Sequence, residues 1–95
     1  MNTYYIMDST IFSKAEDMVK ALFKGATILN DDANLAFSVK GSKIMIEHRL
    51  SGQTAFMRPT TYNSNHIAEL MDTVVDKFIK AGTFDNMEIV LFNLV

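Results

Sequence analysis

Apolar side chains recur along residues 64–82 at Ile67, Leu70, Met71, Val74, Phe78 and Ala81, with Val75 and Ile79 beside them. Spacings of three and four predict an amphipathic helix whose face is broad enough to cover a sheet. Ser64 or Asn65 is the expected start cap. Lys77 and Lys80 sit near the end, where helix carbonyls favour cations, and Gly82 supplies a left-handed stop. A second helix follows Ser13-Lys14-Ala15-Glu16, the S-x-x-E pattern in which serine and glutamate satisfy orphan amides at a helix start. Its expected buried residues are Ala15, Met18, Val19 and Leu22, with Phe23 at the margin and Gly25 as terminator.

Between the helices the period changes to two. Leu35, Phe37 and Val39 alternate with Ala36, Ser38 and Lys40; Ile44, Ile46 and His48 alternate with Lys43, Met45, Glu47 and Arg49. Gly41-Ser42 reads as a two-residue hairpin turn, which pairs Val39 with Ile44, Phe37 with Ile46 and Leu35 with His48. All these pairs fall on one face, so pattern and turn chemistry agree on the register. Residues 26–30, before Asp31-Asp32, and residues 54–58, after Ser51-Gly52, extend the hairpin to a four-stranded antiparallel meander. Residues 3–7 add a short N-terminal strand. Residues 87–95 (MEIVLFNLV) read as a last strand, apolar on both alternations and so expected to be covered on both faces. The fold class that results is α+β: a two-layer, mainly antiparallel sheet in the order β-α-β-β-β-β-α-β. Both amphipathic helices lie on one face, with some ferredoxin-like character.

At 95 residues the chain is expected to form a single α+β domain, residues 1–95, with a core that needs no metal or disulfide. Hydrophobic content of 48% against 21% charged residues excludes disorder. Cysteine is absent, which removes disulfides, thiol nucleophiles and thiolate metal sites and fits a reducing compartment. No apolar run approaches the ~18 residues of a membrane span. The N-terminus lacks a signal-peptide pattern, so a cytoplasmic protein without a membrane partner is expected. A net charge of −2 gives no global attraction to nucleic acid.

Candidate chemistry is sparse. His66 and Glu69 stand one helical turn apart, but a lone histidine and carboxylate do not close a metal site. His48 is expected on the inner sheet face near its margin, hydrogen-bonded to backbone. Lys40-Gly41-Ser42-Lys43 lacks the spacing of a phosphate loop, and Asp31-Asp32 reads as an Asx-rich turn. Glu69, Asp72 and Asp76 form an acidic strip, read first as a solvated helix face and second as a dock for a basic partner. The polar stretch 58–64 ends at a helix start, where a capping loop or, with Arg58 and His66, an anion site is conceivable. No residue is assigned a catalytic, cofactor-binding or metal-binding role.

The sheet face turned away from the helices carries more. By alternation it presents Lys40, Lys43, Met45, Glu47 and Arg49, joined by Phe56 and Arg58 if Ser51-Gly52 makes a two-residue turn. Four of these are basic and one is acidic, against the sign of the whole chain. The first expectation is a small non-enzymatic protein-binding regulator or inhibitor. The alternative is a nucleic-acid-binding domain that uses this basic face, with phosphates on the cations and bases on the aromatic ring. The second apolar row of the last strand, which includes Phe92, also needs cover. A homodimer with Phe92 and Phe56 in its interface would provide it. Partner-binding residues are thus expected to be Lys40, Lys43, Met45, Arg49, Phe56, Arg58 and Phe92. In size, absence of cysteine and absence of catalytic motifs, the chain resembles the small accessory proteins of phages and mobile elements. That likeness is one of type and is carried by no particular residue.

Overall fold

The computed structural model describes residues 4–7, 14–59 and 63–84. In chain order these form β1 (Tyr4–Ile6), α1 (Ala15–Phe23), β2 (Thr27–Asn30), β3 (Leu35–Lys40), β4 (Lys43–His48), β5 (Thr54–Met57) and α2 (Ser64–Ala81). The expected last strand, with Phe92, lies outside the described residues, as do Ser13 and residues 60–62.

The alternation around Gly41-Ser42 becomes a hairpin in which Val39 pairs with Ile44, Phe37 with Ile46 and Leu35 with His48. Gly41 makes the turn at φ 64, a left-handed conformation that is cheap only without a side chain. β2 to β5 form the expected antiparallel meander, and the sheet order is β1-β2-β3-β4-β5. β1 joins beside β2 in parallel, with Tyr4 opposite Thr27 and Ile6 opposite Leu29. A parallel pair needs a long crossover, and α1 supplies it.

The inner face of the sheet is the core. Ile28, Leu35, Phe37, Ile44, Ile46 and Met57 have no solvent exposure, and Ile28, Phe37, Ile46 and Ala55 run in one cross-strand row. α1 adds Met18, Val19 and Leu22; α2 adds Ile67, Leu70, Met71, Val74, Val75 and Phe78. All belong to a single apolar cluster, which puts both helices on the same side of the sheet. The α2 face is narrower than its sequence suggests. Val75 already lies at the border of the contact, so Ile79, one turn further round, is 56% exposed.

Both helix starts differ from expectation. Asn63, not Ser64 or Asn65, caps α2: its Oδ1 accepts the His66 amide at 3.0 Å. Such a cap contributes about 1 kcal/mol. α1 is preceded by Lys14 in extended conformation, with no side-chain cap. That shift places Glu16 in the second helical position, one short of where a capping box needs it. Its carboxylate instead meets Lys20 at 3.0 Å, and this hydrogen bond, with the charge behind it, raises the lysine pKa. Exposed as it is, the pair contributes little to stability.

Two turns complete the frame. Asn30 is 4% exposed, and its Oδ1 accepts the Ala33 amide at 2.8 Å, so the Asx turn is built by Asn30 and leaves Asp31 and Asp32 exposed. Between β4 and β5 the turn is longer than two residues, and Glu47 pairs with Thr54 and Met45 with Phe56. A two-residue Ser51-Gly52 turn would have set Met45 opposite Arg58. The displacement is even, so Phe56 keeps the outward face that the shorter turn would have given it.

Candidate functional site

The outer sheet face is where the expected partner-binding residues collect. Ile6, Leu29, Ala36, Glu47 and Thr54 are consecutive cross-strand partners and make one row, apolar over its first three strands. Ser38, Met45 and Phe56 make the next, with Tyr4 and Thr27 continuing it over β1 and β2. Lys40 pairs with Lys43 at the hairpin end. Arg58 follows Met57, the partner of Ile44, and so stands beside Lys43. Tyr4 and Ile6 are 59% and 40% exposed; Leu29, Ala36, Met45 and Phe56 are half-buried. No helix among the described residues lies over this face.

Lys43 is the hinge between the apolar and basic parts. Its Nζ sits 5.0 Å from the centre of the Phe56 ring, a cation–π contact. Like charges flank it on both sides, an arrangement that costs a sheet stability. Among the described residues no carboxylate forms an ion pair with Lys40, Lys43 or Arg58.

Arg49 stands apart from this group. It lies beyond the other end of β4, six positions from Lys43. At ~3.3 Å per residue that is about 20 Å. Its amide donates to the Asn34 carbonyl at 2.8 Å, which ties it to the neighbouring turn. The four expected cations therefore divide into a cluster of three and a remote one. Phe92 lies outside the described residues. Tyr4, Ile6, Leu29 and Ala36 were not picked out by sequence reasoning. Strand alternation already sets Ala36 apart from Leu35 and Phe37, whereas Tyr4 and Ile6 join this face only through the pairing of β1 with β2.

His48 serves the frame. It packs against Phe78 of α2 in a tilted ring contact at 4.6 Å between centres, and Phe78 meets Phe84 at 4.7 Å, also tilted. His48 Nδ1 shares a 2.7 Å hydrogen bond with Ser51 Oγ, so its partner is a side chain and not backbone. His66 Nε2 is buried and has no hydrogen-bond partner among the described residues. The starts of the two helices border one cleft, lined among the described residues by Lys14, Ala15, Glu16, Asn63, Ser64 and Asn65. Neither Arg58 nor His66 lines it, the Asn63 side chain is committed to capping, and Glu16 opposes an anion. Among the described residues no three or more histidine, aspartate or glutamate side chains are placed to hold a metal ion. No helix among them is long and apolar enough to cross a membrane.

The chain matches no family model, and neither curated proteins nor solved structures show significant similarity to it.

Proposed function

We propose that this protein is a small non-enzymatic, cytoplasmic regulator or inhibitor that binds another protein through its outer sheet face. It is of the type that phages and mobile elements encode as accessory proteins. The observation that carries the reading is the placement of both helices on one side of the sheet, which leaves Ile6, Leu29, Ala36, Met45 and Phe56 together on the other. An apolar strip rimmed by polar and charged residues is the usual anatomy of a protein contact. Affinity capture tests it with Met45→Glu and Ile6→Glu, both at solvent-accessible positions. Partners recovered by the wild type should be lost with either variant, while both variants melt as the wild type does. Equal recovery would remove this face from the reading.

A second reading, a nucleic-acid-binding sheet, has the Lys40–Lys43–Arg58 row in its favour. It is weakened by the remoteness of Arg49 and by the ammonium already seated on the Phe56 ring. Self-association through Phe92 and Phe56 is a companion proposal. Sedimentation at micromolar concentration should show a dimer that Phe92→Glu converts to a monomer; a wild-type monomer would remove it.

A further inference from the structure

We infer that the partner segment seated on this face is acidic and amphipathic, with carboxylates placed over Lys40, Lys43 and Arg58 and an apolar side chain over Met45 and Phe56. The inference rests on the docking reading above and narrows it to one chemistry.

Three features of the face lead there. Lys40 and Lys43 are direct cross-strand partners, and Arg58, the residue after β5, stands beside Lys43 by continuation of the β4–β5 register. Side chains opposite each other on one face stand about 5 Å apart, so the row repels itself. The fold gains nothing from that repulsion, and a partner's carboxylates would relieve it. The helix layer is mixed in sign, with Glu16, Asp17, Glu69, Asp72 and Asp76 lying among Lys20, Lys77 and Lys80, whereas this row holds cations alone. An acidic partner would be drawn to this row.

Phe56 then separates a peptide from a nucleic acid. Base stacking needs an open ring face, whereas the Lys43 ammonium covers this one at 5.0 Å. With the ammonium left in place, the half-buried Phe56 and its cross-strand partner Met45 offer an apolar contact of side-chain size. Three clustered cations suit a few carboxylates better than a run of phosphates, which would need contacts extending to Arg49.

The test is a titration of the full-length protein, followed by amide chemical shifts, with a short end-blocked peptide alternating Glu and Leu. A matched Lys–Leu peptide and an oligothymidylate serve as the other arms. Shifts are expected at Lys40, Lys43, Phe56 and Arg58 with the Glu–Leu peptide alone, shrinking as salt is added. Lys43→Glu combined with Arg58→Glu should weaken that binding by about tenfold or more. The inference is overturned if the Glu–Leu peptide leaves these amides unmoved, or if the Lys–Leu peptide moves them equally. Oligothymidylate binding there in place of the peptide also overturns it and hands the row to nucleic acid. In the capture experiment, loss with Met45→Glu but not with the double charge reversal would retain the docking face and reject the acidic partner. Capture indifferent to both would reject the two together.

Discussion

Val74→Asp is expected to abolish cooperative folding near neutral pH. Val74 is 1% exposed at the middle of α2, in line with Leu70, Met71 and Phe78 and inside the single apolar cluster shared by both helices and the sheet. An ionised carboxylate there loses its hydration and gains no cation in return. The cost is several kcal/mol, against a total stability of about 5–15 kcal/mol for a domain of this kind. Far-ultraviolet circular dichroism during heating reads the result directly. A cooperative melt at the wild-type midpoint would mean that another side of α2 faces the sheet. Burial disfavours the charged carboxylate, so acidification, which neutralises it, should restore part of the structure.

Phe37→Ala is the second large effect, expected to cost about 3–5 kcal/mol. Phe37 has no solvent exposure, sits between Ile28 and Ile46 in the central cross-strand row, and is the largest of the fully buried side chains. Strands on both flanks and helices above hold the surroundings apart, so the space left by the ring cannot collapse. Urea denaturation should show a lower midpoint with an unchanged slope, because the surface exposed on unfolding is nearly the same. Phe56→Ala is the informative contrast. It lies on the outer face and should cost under about 1 kcal/mol, most of it the contact with Lys43. An inverted order of the two would mean that the sheet faces are exchanged.

Much of this architecture could be read in the chain because local and long-range signals coincide there. The Gly41-Ser42 turn fixes the register that the alternation of Leu35, Phe37 and Val39 also demands, and the two helix stripes supply the cover. Other features depend on geometry that residue type does not encode. The choice between Asn63 and Ser64 as cap turns on a single residue of helix phase, as does the place of Glu16 at the second helical position, not the third. The place of β1 rests on three backbone pairs with β2, and no side-chain pattern announces which edge a short strand will join. The candidate face was legible in Lys40, Lys43, Met45, Phe56 and Arg58, whose alternation survives the longer turn. Its grouping was not, since Arg49 shares their parity yet stands at the far end of β4.

The even displacement between β4 and β5 constrains how this protein can change in length. The turn leading from His48 to Thr54 is exposed along most of its course, where insertions are ordinarily harmless. Here the count matters more than the content. One added residue that shifted the ladder by one would turn Met57 outward and bring Phe56 and Arg58 against the helices, setting a guanidinium in the core and dismantling the basic row together. Two added residues would leave every side chain of β5 on its present face. Viable descendants of this sequence should therefore vary the turn in steps of two, or place a bulge that restores the parity.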